Sequence, residues 1–210
     1  MVALLLALFL APQDDAAATE ALTTFDSTFS KTKDVSARQA AISGLSKTHH
    51  EKVASRLGSL LTHDEKALRI AAAQVLATFN DTPELRRSAS HTLTSALNAG
   101  SNLKEIEVQV AIFSAIGRLG DESSGTVLKS HFDDKDLQTA QAAIAAAGAL
   151  KSKAMVEPLI EELRDCEKKS KVPDPPASGG KQPRITSKGG GGSGPTGPDP
   201  EAQKRERATQ

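Results

Sequence analysis

One short pattern recurs four times along the chain, and it constrains the fold more than any other feature. "DVSARQAAISGLSK" starting at Asp34 aligns with "EKALRIAAAQVLAT" at Glu65, "EIEVQVAIFSAIGR" at Glu105 and "DLQTAQAAIAAAGA" at Asp136. In this register Arg38, Arg69, Gln109 and Ala140 are equivalent. So are Ala41, Ala72, Ile112 and Ala143, and so are Leu45, Leu76, Ile116 and Ala147. Equivalent positions lie 31, 40 and 31 residues apart, so the second repeat carries nine extra residues, which fall on "NAGSNLKEI" after Leu97. A unit of this length cannot bury its apolar face alone. Repetition therefore implies a stack in which each unit covers the next.

Each unit reads as two helices. The aligned segment has apolar residues at helical spacing and a small residue at the matched core position in three of four repeats, which lets backbones approach closely. A second apolar stripe follows in each: Val53, Leu57 and Leu60; Leu85, Ala89, Leu93 and Leu97; Val127, Leu128 and Phe132; Val156, Ile160 and Leu163. Turn residues separate the helices at Asn80-Asp81-Thr82-Pro83, Asn98-Ala99-Gly100 and Gly120-Asp121-Glu122. Pro83 suits a first helical turn, where its missing N–H costs little. Asp34, Asp64 and Asp136, or a neighbour of each, suit N-caps. Upstream, Leu22, Phe25 and Phe29 form one stripe on a helix from about Thr19 to Ser30, read as the N-terminal cap of the stack. The fold class expected is all-α, a right-handed α-solenoid of about four helix pairs occupying residues 19–168.

Residues 1–18 are set apart by the apolar run from Val2 to Ala11. It is shorter than the roughly 20 residues a bilayer span needs and has the length of a signal-peptide h-region. Against that reading, no Lys or Arg follows Met1, and cleavage has two candidates, after Ala11 or after Ala18. The alternative is an apolar N-terminal helix that packs on the fold. No Cys follows the run, so no lipoprotein anchor is expected. If the run is a signal peptide, the protein is exported, to a periplasm or the exterior, with no stable membrane insertion after processing. Otherwise it is cytoplasmic.

Residues 169–199 read as a Gly/Pro-rich disordered linker. From Val172 to Pro200 there are seven Pro and eight Gly among 29 residues, and Val172 and Ile185 are the only large apolar side chains, too few to offset chain entropy. Residues 200–210 read as a short helix opened by Asp199, Pro200 and Glu201. Such a helix either docks elsewhere or belongs to an element that continues.

Lysine plus arginine equals aspartate plus glutamate at 26 each. The nine basic and five acidic residues from Cys166 onward leave the preceding 165 residues at a net −4. A repeat region of that sign gives no bulk attraction to nucleic acid, and with neither Trp nor Tyr it has little with which to stack exposed bases. No nucleic-acid partner is expected.

"DEKALRIAAAQVLATFND" and "VQVAIFSAIGRLGDESS" carry a family resemblance. An acidic opening, Arg69, the small Ala72 and Ala73, Leu76, and the turn Leu119-Gly120-Asp121 make the chain resemble HEAT-repeat proteins, particularly the short HEAT-like repeats also found in phycobilisome lyase subunits. The fourth repeat departs from the pattern in having Ala140 where the others have Arg or Gln. An apolar start, HEAT repeats and a Gly/Pro tail also resemble HEAT proteins of planctomycete bacteria. The resemblance implies a fold and leaves function to the surface.

The residues themselves offer little chemistry. His49, His50, His63, His91 and His131 form no H-E-x-x-H, and the single Cys166 forms no C-x-x-C. The His-Glu dyads of iron-binding HEAT hydroxylases are missing. His49-His50-Glu51 sits at a turn where adjacent side chains diverge. "GGGGSG" from Gly189 lacks the Lys-Ser/Thr ending of a phosphate loop. No catalytic residue, metal site or cofactor is expected. The expected function is a non-catalytic protein-binding or scaffold module that holds a protein or peptide on a concave face. By the resemblance the second helices line that face, which makes Arg56, Arg87, His91 and Lys129 the candidate contacts. The rival is a chromophore-lyase-like enzyme or enzyme subunit, suggested by the repeat type alone. A third reading is a spacer that presents its basic tail to an anionic cell-surface polymer.

Overall fold

The computed structural model describes residues 2–170, with side chains from residue 15 onward. Among the described residues the chain is all-helical and holds no strand. The helices are α1 (Val2–Lys31), α2 (Val35–Gly44), α3 (Glu51–Leu60), α4 (Lys66–Leu76), α5 (Pro83–Leu97), α6 (Ile106–Leu119), α7 (Gly125–Lys129), α8 (Leu137–Ala149) and α9 (Val156–Ser170). The expected linker and the expected short terminal helix lie outside the described residues, apart from the end of α9.

Local chemistry explains most of the helix starts. Asp34 Oδ2 accepts from Ala37 N at 2.7 Å and Asp136 Oδ1 from Thr139 N at 2.9 Å, so both cap the helices they precede. Thr82 caps α5 through Leu85 N at 3.2 Å, with Pro83 in its first turn. Before α4 the cap falls on Glu65 rather than Asp64, and its side chain makes no capping bond. α6 ends on Gly120 at φ +67°, the left-handed conformation that glycine adopts without steric cost. The Leu119-Gly120-Asp121 turn is built around that residue.

The aligned segments are α2, α4, α6 and α8, and these pack in a row, each on the next. Their matched positions form the seam: Ala72, Ile112 and Ala143 are fully buried, as are Leu76 and Ile116, with Leu45 and Ala147 nearly so. Each large apolar side chain taken from water contributes roughly 1.5–3 kcal/mol. At one close contact, a Cβ built on Gly117 of α6 would meet the backbone of Ala146 on α8. The other helices pack against members of the row. α3 packs on α4 and α5, and α5 also meets the short turn at Glu122–Ser124, where the buried Ser90 and Ser124 hydroxyls share a hydrogen bond.

α1 is longer than the expected cap. It runs unbroken from Val2, so the boundary drawn at residue 18 falls inside a helix. Ala18 and Phe25 are buried and Leu22 and Phe29 half-buried where α1 meets α2 and α3.

The nine extra residues of the second repeat are not confined to the segment after Leu97. α5 has 15 residues where α3 has 10, and the connection after α5 spans residues 98–105 where the one after α3 spans 61–65. That longer connection is stapled down. Asn102, fully buried, donates from Nδ2 to Leu61 O (3.0 Å) and Ala96 O (2.8 Å). Arg69 Nη1 donates to Ser101 O at 2.9 Å, and Gln109 Nε2 to Asn102 O and Leu103 O at 3.1 and 3.0 Å. Thr139 Oγ1 then donates to Gln109 Oε1 at 3.3 Å. Two members of this network, Arg69 and Gln109, are equivalent repeat positions.

The second helix of the fourth repeat departs from expectation. Val156 and Leu163, expected in the core, are 54% and 65% exposed, and no residue of α9 is buried.

Candidate partner-binding face

The four candidate contacts lie on the helices that flank the row, and the structure separates them by what each already holds. Arg56, on α3, is committed internally. Its Nη2 and Nε donate to Asp26 Oδ1 on α1 at 2.8 and 3.1 Å, Nη1 donates to Ser59 Oγ at 3.1 Å, and the guanidinium lies 5.4 Å from the centre of the Phe25 ring. It ties α1 to α3. Lys129, on α7, stands 3.9 Å from Glu161 on α9, a loose pair with both side chains more than half exposed. Arg87 and His91 are exposed one turn apart on α5, and their side chains make no hydrogen bond or ion pair among the described residues. The helix brings these two together. Arg56 and Lys129 stand on neighbouring elements.

A polar cluster that the sequence did not reveal lies where α1, α3 and the start of α5 meet. His49 and His50 diverge, as expected at a turn. His49 Nδ1 contacts Asp81, its Nε2 lies 3.1 Å from Thr78 Oγ1, and its ring lies tilted against the buried Phe79 ring with centres 4.8 Å apart. His50 Nδ1 accepts from Lys52 N at 3.1 Å and so caps α3, while its Nε2 lies 3.1 Å from Asp15 Oδ1. Lys52 Nζ reaches the same oxygen at 3.0 Å. The Lys52 ammonium, by its hydrogen bond and its charge, holds the Asp15 carboxyl below the usual carboxylate range, and His50 adds a smaller pull in the same direction. A cavity of about 290 Å³ opens beside this cluster, lined by His49, His50, Glu51, Glu84, Leu85 and Ser88 among others. The partners here come from residues some 30 positions apart in sequence, which no local pattern signals.

Elsewhere several surface charges are paired. Glu107 raises the Lys66 ammonium at 2.6 Å, and Asp133 raises Lys169 at 3.2 Å. Cys166 is exposed with its thiol pushed up, first by desolvation and then by Glu162, to which it donates at 3.5 Å. An activated thiolate needs the opposite shift. Among the described residues no group of three His, Cys, Asp or Glu side chains is placed to hold a metal ion, and no helix is long and apolar enough to cross a membrane. No family model matches the chain, and neither does any curated protein sequence.

Proposed function

We propose that the chain is a HEAT-type right-handed α-solenoid, with helix pairs α2/α3, α4/α5, α6/α7 and α8/α9 behind the capping helix α1, and that it serves as a non-catalytic binding or scaffold module. The row of α2, α4, α6 and α8 with its buried matched positions supports the repeat reading. The observation that carries the functional reading is the pair Arg87 and His91. They are exposed and unengaged on α5, while Arg56 and Lys129 on the flanking helices already face carboxylates. A protein or peptide partner laid across α5 meets an unspent guanidinium and imidazole there. On this reading the run from Val2 to Ala11 is a signal peptide and the mature protein works outside the cytoplasm.

The test compares capture by the wild-type chain with capture by the double variant Arg87→Ala/His91→Ala. Both side chains are exposed, so the variant is expected to keep the wild-type helix signal. A partner that binds wild type and is lost by the variant is the expected result. Partners retained equally by both chains would remove this face from the proposal.

A further inference from the structure

Two histidines stand at helix starts, and both also touch α1. His50 Nδ1 accepts from Lys52 N at 3.1 Å at the opening of α3, and His63 Nδ1 accepts from Glu65 N at 3.0 Å just before α4. A backbone N–H can only donate, so each Nδ1 presents a lone pair. The one proton of each neutral ring then sits on Nε2. At His50 that nitrogen lies 3.1 Å from Asp15 Oδ1 on α1. The His63 ring meets Phe29 on α1 in a T-shaped contact, with ring centres 6.0 Å apart. In its neutral form each ring serves a helix start on one side and α1 on the other.

A second proton disturbs this at both places. It sets N–H against N–H at each Nδ1, and it puts a positive charge at the N-terminal end of a helix, where the backbone dipole is already positive. The neighbouring charges do not offset that cost. Around His50 stand Glu51 and Lys52 on α3, Asp15 on α1 and Glu84 across the cavity on α5, while Asp81 is engaged by His49. Lys52 Nζ already holds the Asp15 oxygen at 3.0 Å, so a charge on His50 gains little there. Around His63 stand Asp64 and Glu65, both exposed, whose attraction water screens. On the other side is Arg38 of α2, whose guanidinium lies 4.7 Å from the centre of the Phe29 ring. A charged His63 brings a second cation to that ring.

We propose that His50 and His63 form an acid-sensitive latch: neutral, they hold the starts of α3 and α4 together with α1, and protonated, they release both, so that α1 loosens from the stack. The folded chain uses the rings without the second proton, so these contacts are present in neutral solution and are lost as the pH falls. The latch lies at the α1 end and is independent of the α5 face.

Hydrogen exchange of the full chain is followed at about pH 7.5 and about pH 5, with each rate corrected for the intrinsic effect of pH, across the range in which histidines titrate. Asp15 stays ionised at both, because Lys52 holds its carboxyl below the usual carboxylate range. Opening of residues 15–31 and of the first turns of α3 and α4 is expected to rise about tenfold in acid. α6 and α8, which no histidine caps, are expected to change less. In the double variant His50→Asn/His63→Asn the amides accept the same backbone N–H groups and do not titrate, so the rise is expected to stay below about twofold. Each protein is compared with itself across pH, so a lower starting stability of the variant does not enter. Nitrogen NMR shifts of the two rings at about pH 7.5 report the tautomer, with a bare Nδ1 and a protonated Nε2 expected at both. The opposite tautomer at either ring, a wild-type α1 indifferent to acid, or an equal rise in the variant would each overturn the proposal.

Discussion

Gly117 of α6 and Ala146 of α8 approach so closely that a Cβ on the glycine would lie 3.0 Å from Ala146 Cα, with the Ala149 and Ala146 methyls at 3.2 and 3.3 Å. The obstacle is backbone, which a rotamer change cannot move aside.

Gly117→Ala is therefore expected to destabilise the fold by about 1–3 kcal/mol, overriding the gain in helix propensity. Gly148→Ala, in the last turn of α8 with nothing within 4 Å of its added methyl, is expected to stabilise by up to about 1 kcal/mol. Urea unfolding of the two variants decides it. A Gly117→Ala protein as stable as wild type would mean that α6 and α8 are not in this contact.

Gln109→Ala leaves the Asn102 and Leu103 carbonyls without their shared donor and breaks the link to Thr139, whose hydroxyl keeps only Asp136 as acceptor. A loss of about 1–3 kcal/mol is expected, because the affected groups are buried or half-buried. Hydrogen exchange should show the loss first in residues 98–105. Unchanged protection there would mean that the network does not hold the connection.

Arg56 and Asp26 are expected to couple by at most about 1 kcal/mol, as a half-exposed ion pair does. A double-mutant cycle with Arg56→Ala and Asp26→Ala measures it. Partner capture should survive both changes, because neither side chain is available to a ligand. Loss of capture in Arg56→Ala alone would return Arg56 to the binding face.

The Asp15 carboxyl titrates below its unfolded value, so the fold gains from it above the unfolded value and loses that gain as pH falls through the folded one. The stability difference between wild type and Asp15→Asn is expected to be present at neutral pH and to vanish in acid, below the usual carboxylate range. A difference that persists unchanged into acid would show that Lys52 and His50 do not hold the carboxylate.

On the export reading, the two cleavage candidates now differ in consequence. Ala18 is fully buried and Asp15 pairs with Lys52 and His50, so cutting after Ala18 removes packing that cutting after Ala11 retains. Mass spectrometry of the secreted protein is expected to place the new N-terminus before Asp15. A chain beginning at Thr19 would contradict this.

The parts of this fold legible from sequence were those fixed within a few residues. Asp34 and Asp136 were readable as caps because a carboxylate reaches only the next turn, and Ala72, Ile112 and Ala143 as core because burial recurs with the helical period. Arg56 was readable as a polar position on its helix, but its pairing with Asp26 was not, because Asp26 lies 30 residues away. Asn102 gave no signal at all, since a single amide in a turn-rich segment looks like any loop residue. α9 was misread for another reason: an apolar stripe has the same spacing whether something covers it or not. Of the candidate face, the sequence supplied Arg87 and His91, and only the structure could separate them from residues already engaged.

The staple at residues 98–105 has a mechanical consequence. Asn102, Arg69 and Gln109 join this connection to α4, α5, α6 and the end of α3, so the place where the repeat spacing lengthens is cross-braced by side chains. An inserted loop ordinarily acts as a hinge, and this one acts as a keystone. Bending the row at this point would have to break those hydrogen bonds, so the helices on either side of the keystone are expected to move together.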